Sequence, residues 1–378
     1  MKFVLFYHSF VSCWNHGNAH FLRGIARELL RLGHEVHVYE PKDAWSKTNA
    51  LRESGTSGLQ AAAKTVPGIA WHEYDLASLD LDEALEKADV VVAHEWNDPE
   101  LIARLGDFRT QGHFLLLFHD THHRAVTAPD QIERFELDGY DAVLSFGAVL
   151  TEVYRRRGWG RRVFTWHEAA DTALFKPHPE VARDADMIWI GNWGDDERAR
   201  ELDEFLLQPA AAAGLRLRLY GVRYPQRLLE RFKMLGIEFG GWLPNHLAPL
   251  SFARARMTIH VPRRPYVESL PGIPTVRVFE ALACGIPLIS APWNDSEGLF
   301  PGGCYISAAN GETAAAAFRL VAADPAFAGE MAGRGLRAIR ERHSCAHRAR
   351  ELLHILREIA GPVACGAQPF AAEEVPAP

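Results

Sequence analysis

The chain has 378 residues, 48% of them hydrophobic and 24% charged. That is too much chain for one core, and two domains of roughly 150–190 residues follow. The net charge of −7 and a pI near 6.2 exclude the basic balance of a nucleic-acid-binding protein but leave room for a local basic pocket that takes a small anion. No apolar run approaches the ~18 residues of a membrane span.

The start, "MKFVLFYHSFVSC", has one positive charge and a short apolar stretch broken by His8. It reads as a first β-strand rather than a secretion signal. The continuous run "KFVLFY" suits a strand covered on both faces. A polar loop, "HSFVSCWNHGNAH", follows, with Gly17 and Asn18 just ahead of a helix striped by Phe21, Ile25, Leu29 and Leu32 and ended at Gly33. Glycine at that place either serves the turn or lets backbone amides approach a phosphate at the helix N-terminus. The spacing is neither GxGxxG nor a Walker A loop.

Further strands are predicted in "HEVHVYEP", "GIAWHEYD", "DVVVAHEW", "HFLLLFHD", "DAVLSFG" and "RVFTWHE", with helical stretches between most of them. That alternation describes a parallel sheet with helices on both faces, covering residues 1–170. Residues 171–184 hold prolines and charges without periodicity and read as a linker. The alternation restarts over 185–360 with "MIWIGNW", "LRLRLYGV", "IEFGGWL", "MTIHVP", "IPLISAPW" and "CYISAA". The Ala- and Pro-rich 361–378 is expected to be a disordered tail. Cys13, Cys284, Cys304, Cys345 and Cys365 are scattered and form no CxxC, which fits reduced thiols in a cytoplasmic protein without a zinc site.

In parallel sheets ligands sit beyond the carboxyl ends of the strands, so the loops there carry the candidate chemistry. "LLLFHDTHHR" packs His119, Asp120, His122 and His123 behind a strand, as a metal cluster, as cleft histidines of no special role, or with a neutral His119 beside a reacting hydroxyl. In "LYGVRYP", Arg223 follows a strand and a turn glycine; its guanidinium suits a phosphate or an ordinary salt bridge. In "PTVRVFEALACGIPLIS", Val278, Phe279, Leu282 and Ala283 share one side of a helix beginning near Thr275, while Arg277 and Glu280 share the other edge. Free amides at its start, Arg277 and Glu280 together match a pyrophosphate beside a ribose diol; a solvated Arg277–Glu280 pair fits the spacing equally.

Four segments, "GNAHFLRGIARELLRLGHEVHVYEP", "DTALFKPHP", "IWIGNW" and "RVFEALACGIPLISAPW", resemble the GT-B glycosyltransferases of the family-4 type, in particular a group typified by a spore-maturation protein. The resemblance runs to about residue 357, and its last segment is the most specific. It implies a GT-B architecture, two Rossmann-like α/β domains whose parallel sheets face each other across a cleft. It also implies a metal-independent transferase with no cofactor, using a nucleotide-diphosphate sugar as co-substrate and retaining the anomeric configuration. By the resemblance Glu280 contacts the donor ribose, and Arg223 and the backbone of Gly272, Ile273, Pro274 and Thr275 face its diphosphate. The resemblance also places His119 at the reaction centre, and the loop reading above adds Gly17 and Asn18 to the donor site.

The family's first glutamate, eight positions before the second, is Gly272 here; Glu268 is close but off the spacing. Two other readings stay open: an epimerase using Glu95, Asp120 or Glu168, and a non-catalytic sugar or nucleotide binder. Trp14, Trp45 and Trp96 suit either an acceptor platform or the core, and "HVPRRPYVESLPG" either a donor contact or surface. The acceptor is left open among a small molecule, a glycan and a lipid-linked sugar; no nucleic acid and no integral membrane segment are expected.

Overall fold

The computed structural model describes residues 1–194 and 196–361, without the side chain of Glu197. The tail expectation therefore falls, but for Gly361, outside the described residues. Seven parallel strands form the first sheet: β1 (Lys2–Phe6), β2 (Glu35–Pro41), β3 (Ala70–Tyr74), β4 (Val90–His94), β5 (Leu115–Asp120), β6 (Ala142–Ser145) and β7 (Val163–Thr165), in the order β3-β2-β1-β4-β5-β6-β7. Six more form the second: β8 (Ala185–Ile190), β9 (Leu217–Tyr220), β10 (Glu238–Phe239), β11 (Ala255–His260), β12 (Leu288–Ser290) and β13 (Ile306–Ser307), in the order β10-β9-β8-β11-β12-β13.

Each apolar run becomes a strand because alternate side chains enter different cores. Phe3, Leu5, Val90 and Val92 pack on one face of the first sheet, and Val4, Phe6, Val91 and Ala93 on the other. In both sheets the chain order reverses beside the first strand, at β1/β4 and at β8/β11. The loops after those strands flank a crevice at the carboxyl edge, where ligands bind in such folds.

Two segments cross between the halves. The helix Cys345–Ala360, last in the 185–360 stretch, buries Cys345, Ala349, Leu352 and Ile355 in the core of the first sheet. Its amphipathic stripe requires a partner surface but does not name one. The partner is the helix Ala19–Arg31, where Gly24 admits it: a Cβ at 24 would collide with Cys345 Sγ and come within 2.9 Å of Asp171 Cβ. In the other direction, Leu270 and Ile273 enter the first domain's core. Ile273 lies so close to Gly147 that any side chain there would collide with it. The returning strands of chain run side by side, with Ala170 N–H bonded to the His343 carbonyl (3.0 Å) and Cys345 N–H to the Ala170 carbonyl (2.9 Å). Among the described residues no helix is long and apolar enough to cross a membrane.

Candidate active site

A cleft of about 680 Å³ opens between the two reversal points. Its first-domain wall includes Gly17, Trp45, Trp96 and Thr121; its second-domain wall includes Asn192, Arg198, Arg223 and Arg263. A hollow of about 610 Å³ around Arg109 and Asp141 lies elsewhere, at the amino end of β6, away from the strand ends that bind ligands.

Arg223 reaches the cleft from the loop after β9. It is exposed, holds a left-handed φ of 64°, and has no ion pair or hydrogen bond among the described residues. A side chain with a Cβ costs roughly 1 kcal/mol in that conformation. The loop is set by Gly221, where a Cβ would collide with the Gly191 carbonyl, and by Asn192, whose Oδ1 accepts the Val222 N–H (3.0 Å). Asn192 also reaches across the cleft to Asn15, itself at φ 52°. Arg198 is anchored, donating to the carbonyls of Val261 and Pro262 (3.0 Å for the latter), with its guanidinium 5.6 Å from the Trp189 ring.

The helix Val276–Ala283 forms where the apolar stripe requires it, but its start is not open. Gly17 stands against it, with a Cβ there only 3.2 Å from Val276 Cγ1. Gly272 and Ile273 donate their N–H groups to Asn294 (2.6 Å) and Leu270 (3.2 Å), and Pro274 has none. Of the four backbone positions expected to face a diphosphate, Thr275 alone has an N–H unengaged among the described residues. Arg277 does pair with Glu280, but not on a solvated face, since Glu280 is 0% exposed. His20 Nδ1 lies 3.0 Å from Glu280 Oε1 and 3.0 Å from the Gly17 carbonyl. The carbonyl can only accept, so the proton sits on Nδ1 and goes to Gly17, while Glu280 Oε1 has no hydrogen-bond partner among the described residues.

The space a side chain at 272 would fill is taken by Glu297, whose Oε1 is 2.7 Å from a Cβ built there. Glu297 accepts the Ala148 N–H (2.9 Å) and meets His167 Nε2 (2.8 Å), tying the halves together.

His119 lines no part of the cleft. It is 0% exposed, with its ring 5.3 Å from that of His94 and 4.8 Å from that of Trp166, and burial lowers its pKa to about 3. The end of β5 turns its side chain into the core rather than outward. His16 and His122, which do line the cleft, are likewise held to about 3, chiefly by burial. The carboxylates considered for epimerisation are also enclosed. Glu95 pairs with Arg124. Asp120 accepts from Tyr154 OH (2.8 Å) and the His122 N–H (2.9 Å), while burial raises it to about 6. Glu168 is pushed well up by burial and then by the charge of Glu280. No three His, Cys, Asp or Glu among the described residues converge as a metal site.

Arg263 and Tyr266 of the cleft belong to the basic-aromatic loop singled out in the sequence. Arg198, Asn192 and His16 were not singled out. An Asn just past β8 and an Arg in the first turn of the next helix were the available signals.

Residues 198–354 match the model of a family described as glycosyl transferase-like. No curated protein matches the chain. Among solved structures, sucrose-phosphate synthase from Thermosynechococcus elongatus superposes with a TM-score of 0.64 at 15% identity, over 95% of this chain and 99% of that one. A UDP-glucose complex of HepE from Anabaena gives 0.64 at 15% identity, over 94% and 99%. The UDP-glucose complex of the T4 phage protein BGT gives 0.60 at 11%, over 95% and 99%. The architecture is GT-B, with two parallel-sheet domains facing a cleft.

Proposed function

We propose that the chain transfers a sugar from a nucleotide-diphosphate sugar to an acceptor hydroxyl. The observation that carries this reading is the arginine wall of the interdomain cleft, with Arg223 held in a strained backbone conformation and unpartnered among the described residues. The family model matching 198–354 and the UDP-glucose complexes among the structural neighbours support it.

As the glycosidic bond breaks, negative charge builds on the leaving diphosphate. Preorganised cations stabilise that charge more in the transition state than in the ground state. Arg223 and Arg263 take this role, with Arg198 behind them. Glu280, backed by His20, receives the pentose hydroxyls once the Gly17 loop moves off the Val276 helix. Closure of the halves then excludes water, which would otherwise capture the sugar. We read the transfer as metal-independent and retaining.

The test is incubation with nucleotide sugars and an acceptor mixture. A glycosylated product whose anomeric proton matches the donor configuration, formed equally with and without a chelator, supports the reading. Nucleotide binding without turnover against every acceptor selects the non-catalytic alternative. A new sugar epimer formed without acceptor selects the epimerase.

A further inference from the structure

The first-domain wall of the cleft has a chemistry that donor binding does not use. Among the described residues no Asp, Glu, Lys or Arg of that domain lines it, whereas Arg198, Arg223 and Arg263 line the opposite wall. His16 lines it at 7% exposure, and neither ring nitrogen has a partner among the described residues. His8 stands behind it at 3% exposure, 4.4 Å ring to ring, again with both nitrogens unpartnered. Trp14 Nε1 and His122 Nδ1 are buried in the same state. Buried polar atoms of native proteins are nearly always satisfied, so this concentration needs a visitor or ordered water.

Beside them, Trp45 is 40% exposed at the cleft. Its ring rests on His8 (5.9 Å, 28° between planes) and is held edge-on by Trp14 (6.1 Å, 79°). The indole is thus held by two rings while 40% of the residue stays exposed at the cleft. Trp96 is fixed by the Arg124 guanidinium, 4.1 Å from its ring.

We propose that this wall is the acceptor subsite and that it takes an uncharged, hydroxyl-bearing ring, a neutral sugar or glycoside, stacked on Trp45 and hydrogen-bonded by His16. The inference rests on the transferase reading. A neutral imidazole offers one donor and one acceptor, as a hydroxyl does. Burial holds these rings neutral: His16 falls to about 3 and His8 well below its ordinary value. Among the described residues a phosphorylated acceptor would find no free cation on this wall and an amino sugar no free carboxylate, since Arg124 behind Trp96 is paired with the buried Glu95.

Saturation-transfer NMR with the methyl glycosides of glucose, galactose, mannose and N-acetylglucosamine, against glucose 6-phosphate and glucosamine, tests this. Uridine diphosphate and the other nucleoside diphosphates are titrated in parallel, and thermal melts check folding. Ring protons of at least one neutral glycoside should receive saturation. Losing the stacking surface in Trp45→Ala should weaken that binding about tenfold, with Trp45→Phe within about threefold of wild type. Arg223→Ala should keep the glycoside signal while losing the nucleotide. A preference for the charged sugars, or Trp45→Ala binding as tightly as wild type, overturns the proposal. So does a nucleotide that titrates while every glycoside stays silent, which means water alone fills the pocket. Glycoside binding without any nucleotide binding supports the subsite and removes the transferase reading.

Discussion

At the scale of single residues, Arg223 combines backbone strain with a charge that has no partner among the described residues, and the two are separable. Arg223→Gly should raise the unfolding free energy by about 1 kcal/mol, because the left-handed φ is free for glycine. Arg223→Ala should give no such gain. Both should weaken nucleoside-diphosphate binding by about 10–100-fold, the loss expected for a charge-assisted hydrogen bond. Urea denaturation with a binding titration reads both effects, and a glycine variant that gains nothing removes the strain.

The histidines give a second residue-scale expectation. Burial lowers His16, His119 and His122 to about 3, and His8 and His94 well below the ordinary value. Between about pH 6.5 and 3 the unfolded chain therefore binds protons that the folded chain refuses, and stability falls as pH falls through that window. Asp120, raised to about 6, and Glu168 act in the opposite sense, their stabilisation being lost as pH rises. Burial also lowers His123, His260 and His343 and raises Glu40, so the depressed histidines outnumber the raised carboxyls and stability falls from pH 7 to 5. Denaturant midpoints that match at pH 7 and 5 would contradict this.

Among the elements, the helix Ala19–Arg31 shows why a helix interior keeps a glycine. In an open helix Gly24→Ala would stabilise by about 0.5–1 kcal/mol. Here the added methyl meets Cys345 and Asp171, so a loss of about 1–3 kcal/mol is expected by chemical denaturation. The strands were legible because parallel strands covered on both faces read as unbroken apolar runs. The Val276 helix was legible from its stripe, and the position of Arg223 at the cleft from its place after β9. Glu297 was not, because "NDSEG" reads as a surface turn. His119 was misplaced because the end of a strand does not say to which side its side chain turns.

For the whole molecule, the sequence implied two α/β units and ran the second to residue 360, whereas its final helix packs in the core of the first sheet. Amphipathicity marks a face to be buried and is silent on the partner. The halves are held together by that helix, by Ile273 in the first domain's core and by the Glu297 link to Ala148 and His167. Removing Ile273 and Glu297 together should open the cleft, seen as a larger radius of gyration in solution scattering. Ile273→Ala alone should cost about 2–5 kcal/mol; an unchanged scattering profile for the double variant would mean these contacts do not hold the halves.

The central claim, that a nucleotide diphosphate binds the arginine wall of the interdomain cleft, is tested most directly by calorimetric titration. Uridine, guanosine, adenosine, cytidine and thymidine diphosphates are titrated into wild type and Arg223→Ala. Saturable one-to-one binding of at least one of them, weakened tenfold or more in the variant, is the expected result. Binding of none, or equal affinity in both proteins, contradicts it.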